Sequence, residues 1–137
     1  MTINEEQDEI IEEFELFTDW MDKYENIIDI GKELPLIDPK YKVPGKLIKG
    51  CQSSVWLHSD YVDGLVLFTA DSDAIITKGL ISMMVKVLSG HTPQEIVDAD
   101  VYFINRIGLQ NHLSPNRSNG LLAMLKQMKL YAQGFIA

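Results

Sequence analysis

The chain has 137 residues, 46% of them hydrophobic, with 20 acidic side chains against 12 Lys and Arg, a net charge of −8 and a single cysteine. This length and composition suit one globular domain over residues 1–137 with its own core, and exclude intrachain disulfides and zinc sites built on several cysteines. The charge is uneven: residues 1–50 hold 13 acids and 6 bases, residues 51–137 hold 7 and 6. Nucleic acid and anionic lipid are therefore poor partners, and a protein with a basic face is a better one.

Residues 5–15 carry acids and no bases, which is no start for a signal peptide. The most apolar stretch, Asp73 to Gly90, is interrupted by Lys78 and Lys86 and is too short to span a bilayer. With a lone free thiol, the expected compartment is the cytoplasm.

Asn4 with Gln7 has the spacing of a capping box, and Ile10, Phe14, Phe17 and Met21 follow at helical intervals. Thr18 or Asp19 is placed to cap a second helix with Trp20, Tyr24, Ile27 and Ile28, ending near Gly31. Leu34-Pro35 marks the break, and Pro39, Pro44 and Gly45 predict a surface loop to residue 46. Two strand-like runs flank Val62-Asp63-Gly64, a hairpin signal, and Lys46-Leu47-Ile48 is read as a short third strand. Asp71-Ser72-Asp73 is read as the cap of a largely buried helix over 74–89, whose Lys78, Ser82, Lys86 and Ser89 form one narrow polar stripe. The same acids lack the glycine and closing glutamate of a calcium loop. Thr92-Pro93-Gln94-Glu95 is a capping box with proline at the first helical position. A last helix, about 118–133, carries Leu121, Leu125, Met128 and Tyr131 on one face. Helices, then a small antiparallel sheet of about three strands, then helices, give an α+β fold.

Cys51 is the residue with the clearest chemistry. Gly50 precedes it and Gln52, Ser53 and Ser54 follow, so it belongs in a turn before the strand that begins at Val55. Lys40, Lys42, Lys46 and Lys49 precede it with no acid between them, which predicts a cationic surrounding that favours the thiolate. A cysteine hydrolase would pair Cys51 with His112, the histidine in the loop before the last helix. His58, seven residues on, would turn to the opposite face of a regular strand, and His91 follows a helix end. Arg117 stands at a helix start, as part of a cap or as a cation returned to the thiol.

The segments GCQSSVW (50–56), DSDAIITKGL (71–80), TPQEIVDAD (92–100) and HLSPNRSNGLLAM (112–124), with DWMDKYENIIDIGKELP (19–35) upstream, resemble the SufE family in content and order. The resemblance spans about residues 10–132. Ala70 stands where the family has Gly, and Asn116 where it often has Ser. The resemblance implies a SufE/IscU-like fold without cluster ligands. It also implies a sulfur acceptor of Fe–S cluster assembly that carries no cofactor of its own. The donor would be a SufS- or CsdA-like cysteine desulfurase, which holds pyridoxal phosphate and presents sulfur as a persulfide. Cys51 would take that sulfur, stimulate the donor and deliver the sulfur to a Suf-type scaffold. Gly50, Gln52, Ser53, Asp71, Ser72, Asp73, His112 and Arg117 would support the thiol or face the partner. A partner-binding domain that stimulates a desulfurase without carrying sulfur is the remaining alternative.

Overall fold

The computed structural model describes residues 1–136. Helix α1 (Ile3–Glu15) opens on a different box from the one expected: Thr2 accepts from the Glu5 N–H, and Glu5 accepts from the Thr2 N–H. Gln7 instead turns inward, with its Nε2 also donating to the Asn4 side chain at 3.3 Å. It is completely buried, donates to the Asp100 carbonyl at 3.0 Å and accepts from the N–H groups of Tyr102 at 2.8 Å and Phe103 at 3.1 Å. That amide supplies the buried backbone of a distant loop with partners it would otherwise lack.

Asp19 caps α2 (Trp20–Gly31) through the Met21 N–H. The loop over 35–46 contains two short 3-10 turns, Pro39–Tyr41 and Pro44–Lys46. Strands β1 (Val55–Val62) and β2 (Leu65–Ser72) form an antiparallel hairpin with Val62 opposite Leu65. Its two-residue turn needs positive φ at both positions, and Asp63 (52°) and Gly64 (82°) supply it. The sheet has two strands rather than the expected three. Residues 46–48 contribute only a bridge, Leu47 to Trp56, and the Ile48 N–H to the Val55 carbonyl, because the Pro44 turn consumes Lys46.

Helix α3 (Ile75–Leu88) is the centre of the molecule, touching α1, α2, β2 and the last helix. The expected capping is corrected. Ala74 occupies the N-cap without a side-chain bond of its own; the Ser72 hydroxyl accepts its N–H at 3.3 Å, while Asp71 pairs with Lys42 and Lys78 and Asp73 accepts from the Ser54 N–H. Of the expected polar stripe, Lys78, Lys86 and Ser89 are partly exposed on this largely buried helix, and Ser82 alone is buried, donating to the Ile30 carbonyl of α2 at 2.7 Å. The α2–α3 crossing is unusually close because Gly31 meets Gly79. A Cβ on Gly79 would lie 2.2 Å from the Ile27 carbonyl oxygen. Helix α4 (Pro93–Asp98) has the expected Thr92/Glu95 box. Two four-residue helices that the sequence did not announce follow, α5 (Phe103–Arg106) and α6 (Leu109–His112). Helix α7 (Pro115–Gln133) begins three residues earlier than expected, with Ser114 as N-cap and Pro115 at its first position. The fold is α+β, with one apolar core cluster drawing on every layer. Among the described residues no helix is long and apolar enough to cross a membrane.

Candidate functional site

Cys51 lies in the loop between the Pro44 turn and β1, as the sequence implied. Gly50 adopts φ of +93°, a conformation that side chains resist, and a Cβ there would also come within 3.2 Å of the Ala123 Cβ. The glycine thus lets the chain reverse while pressed on α7. On the other side Ser54 is clasped by the β2–α3 turn. Its N–H donates to the Asp73 carboxylate at 3.1 Å, and its carbonyl accepts from the Ser72 hydroxyl at 2.8 Å. These are the true roles of Ser72 and Asp73: they fix the end of the cysteine loop.

Between those anchors the thiol is half-buried against α7. Sγ points at the Gly120 carbonyl at 3.7 Å, and a Cβ on Gly120 would sit 3.6 Å from the sulfur. Sulfur and helix backbone are therefore in direct contact, at a distance that a Cβ on Gly120 would meet without a clash. A cavity of about 260 Å³ adjoins the thiol. Leu80 of α3 and Met124 of α7 give its wall apolar surface, and Thr77, Ser53, Ser114 and Arg117 give it polar groups. At the rim the Asn116 amide donates to the Gln52 side chain at 3.0 Å, tying the cysteine loop to the first turn of α7.

Burial pushes the Cys51 thiol above its ordinary pKa. The expected lysine-stabilised thiolate is therefore corrected. Lys42 is paired with Asp71 at 3.1 Å and lies over the Trp56 ring, Lys40 is near Asp38 and Tyr41, and Lys46 sits between the Tyr41 and Tyr131 rings. Lys49 is exposed. Lys40, Lys42 and Lys46 are thus spent on aromatic faces and carboxylates rather than on the sulfur.

The other candidate residues divide. Gly50, Gln52, Ser53, Ser72, Asp73 and Arg117 gather around the cysteine loop or its cavity. Asp71 lies on a neighbouring groove with Lys42. Burial alone would raise its carboxyl, but the Ser72 N–H and the Lys42 and Lys78 ammoniums outweigh that and hold it below the ordinary carboxylate value. His112 is not part of the cavity wall. Its ring stacks on Trp20, centroids 3.7 Å apart and planes 11° from parallel, and its Nδ1 donates to the Gly108 carbonyl. A Cys51–His112 hydrolytic pair is not formed. His58 stacks on Tyr41 and bonds Asp60, and His91 accepts the Val66 N–H with its carbonyl. Among the described residues no group of three or more His, Cys, Asp or Glu is placed to hold a metal ion.

Sequence reasoning missed Thr77, Leu80, Gly120 and Met124, which wall the thiol. Only Gly120 had a readable signal: a glycine inside a helix costs about 1 kcal/mol relative to alanine, which implies a close approach.

A family model described as SufE, Fe–S metabolism associated domain, matches residues 8–132. A SufE-like protein of Synechocystis sp. is 37% identical over 126 residues, 92% of this chain and 79% of its own. A SufE-like protein of Rhizobium meliloti is 37% identical over 132 residues, 93% of this chain and 94% of its own. The solution structure of a hypothetical protein from Thermus thermophilus shares the fold, with a TM-score of 0.78 at 19% identity over 94% of each chain. The family match thus runs from within α1 to the last turn of α7 and contains the whole cysteine cavity: the chain belongs to the SufE family, whose domain is associated with Fe–S metabolism.

Proposed function

We propose that this chain is a sulfur carrier: Cys51 takes sulfur from the persulfide of a pyridoxal-phosphate cysteine desulfurase and passes it on for Fe–S cluster assembly. The observation that carries the reading is the setting of the only thiol, on a loop anchored at both ends and beside a cavity of about 260 Å³, with ample room for an added sulfur.

The step is an exchange at sulfur. The Cys51 thiolate attacks the outer sulfur of the donor persulfide, a new S–S bond forms on Cys51, the donor's S–S bond breaks, and the donor cysteine leaves as a thiolate. No oxidant or reductant is consumed. At rest the buried thiol stays protonated, which slows both premature attack and oxidation. Activation then requires the sulfur to leave its shelter. The ties across the loop's centre are weak, a long Sγ–carbonyl contact and one exposed amide pair. The firmer bonds hold Ser54, so Gly50 and Ser54 act as the ends about which the loop swings into a partner's site. A single cysteine serves a carrier well, because a second nearby thiol would resolve the persulfide into a disulfide.

The test mixes the protein with the cognate desulfurase and free cysteine in the absence of reductant. Intact mass should rise by sulfur atoms, and peptide mapping should place them on Cys51. Cys51→Ser should fold and bind the desulfurase but gain no sulfur. Full stimulation of the desulfurase by that variant would replace the carrier with a partner-binding domain that carries no sulfur.

A further inference from the structure

Helix α6 and the first turn of α7 are separated by Leu113 and Ser114 alone, so whatever fixes His112 also fixes Arg117. His112 is fixed from outside its own segment. Trp20, the first residue of α2, stacks on its imidazole at 3.7 Å, and the Tyr24 hydroxyl, one turn along α2, donates to its backbone carbonyl. Gly108, which begins this segment at φ +79°, packs close enough to Trp20 that a Cβ would lie 3.5 Å from the ring. Lys23 covers the indole at 4.7 Å. The stack lies outside the Cys51 cavity, yet the turn it holds supplies that cavity's Ser114, Asn116 and Arg117.

We propose that Trp20 and Tyr24 are positioning residues for Cys51: by clamping His112 they hold the Ser114–Arg117 turn in place as the polar wall of the thiol's cavity. The argument is one of leverage. Ser114 to Arg117 are exposed, although Leu113 just before them is buried in the core and the Ser118 hydroxyl donates to the Gln110 carbonyl, and among the described residues the side-chain bond from the turn to the cysteine loop is the Asn116–Gln52 pair. One exposed hydrogen bond does not immobilise two segments. An aromatic stack with a second bond on the same residue restricts the turn far better, and residues that share such a network couple energetically. His112 thereby acts through its packing rather than as a base. In sulfur transfer, which rests on the proposed function, the clamp decides how readily Cys51 is uncovered.

Alkylation of the folded protein by iodoacetamide, followed by intact mass, reads that uncovering without any desulfurase. Arg117→Ala removes part of the wall and should speed alkylation. Trp20→Leu should speed it about threefold or more, a factor at the lower end of what contacting residues produce. Trp20→Phe keeps a ring for the stack and should stay near the wild-type rate. The decisive measurement is the double variant Trp20→Leu/Arg117→Ala, which should react no faster than Arg117→Ala alone. A general loosening of the fold would instead multiply the two effects. Equal rates in wild type and Trp20→Leu, no effect of Arg117→Ala, or multiplicative effects in the double variant would each overturn the proposal. If Trp20→Leu shows no cooperative melt, Tyr24→Phe takes its place in the same cycle with the same expected and refuting results. Sulfur loading by the desulfurase is measured in parallel. Its failure with the alkylation cycle intact would remove the carrier reading and leave the clamp standing.

Discussion

Gly79→Ala probes the crossing on which the site is built. Alanine should favour α3 by about 1 kcal/mol through helix propensity. Here the new methyl carbon would lie 2.2 Å from the Ile27 carbonyl oxygen and 2.5 Å from Ile27 Cγ2. Carbon and oxygen rest at roughly 3.3 Å even in close backbone contacts, so the helices must part by about 1 Å. The obstacle is backbone and no rotamer change relieves it. Overpacking of this kind costs about 1–3 kcal/mol and sometimes more. The separation also stretches the Ser82–Ile30 hydrogen bond across the same interface, worth about 1 kcal/mol. The net expectation, after the propensity gain, is a loss of about 2 kcal/mol. A chain of this size should then melt roughly 5–10 °C lower. Thr77 and Leu80 flank Gly79 and wall the Cys51 cavity, so alkylation of the thiol should accelerate as well. Gly45→Ala is the control, because its Cβ meets nothing within 4 Å. Differential scanning calorimetry decides the matter: a Gly79→Ala protein that melts at or above wild type would show that α2 and α3 do not need their glycine contact.

Gln7→Leu should fill the same space but leave the N–H groups of Tyr102 and Phe103 and the Asp100 carbonyl without their buried partner, costing about 1–3 kcal/mol by chemical denaturation; unchanged stability would refute the role given to that amide. Ser72→Ala should cost about 1 kcal/mol and speed Cys51 alkylation, because it removes the shorter of the two bonds to the Ser54 carbonyl and leaves only the Asp73 N–H at 3.3 Å; a stability loss without faster alkylation would reduce Ser72 to a local turn residue. Because burial raises the Cys51 pKa in the fold, the protonated thiol's stabilising share is complete below the unfolded thiol's pKa and is lost as pH rises through the folded one. Melting temperature should therefore fall more steeply with pH across that alkaline window in the wild type than in Cys51→Ser, and parallel curves would contradict a sheltered thiol.

Local chemistry made much of the fold legible. The Asp63-Gly64 turn, the Asp19 cap and the Thr92/Glu95 box each act within four residues, and each appears where its residue types require. The failures are mostly long-range. The acids at Asp71 and Asp73 looked like caps because capping is what such residues do beside a helix. In the fold Asp73 meets Ser54, nineteen positions earlier, and Asp71 meets Lys42. Four lysines near Cys51 in sequence suggested a cationic thiol site. Sequence proximity does not fix direction: the chain turns the ammonium groups of Lys40, Lys42 and Lys46 to tyrosine, tryptophan and carboxylate neighbours and leaves Lys49 exposed. The third strand failed for a local reason that was visible: proline at 44 starts a turn that absorbs Lys46 and leaves too few residues for a ladder. Cys51 itself was legible because glycine before it and polar residues after it break the apolar pattern. Its cavity was not, since α3 and α7 supply most of the wall.

That split bears on the proposed chemistry. A nucleophile activated where it stands would show its activating group nearby, a base in hydrogen-bond reach or a cation against the sulfur. Cys51 has instead a backbone carbonyl, a glycine face and a pKa raised by burial. Burial holds such a thiol toward its less reactive, protonated form where it lies. The energy for movement is modest, because the contacts that hold the sulfur inward are a long S–H bond and one amide pair, each worth about 1 kcal/mol or less. A docking protein that binds the loop's outward form more tightly by only a few kcal/mol would therefore move most of the population. The reactivity of the thiol would then be set by the partner and not by this chain, which is the division of labour a carrier requires. It needs protection while alone and release only where a donor or receiver is already bound.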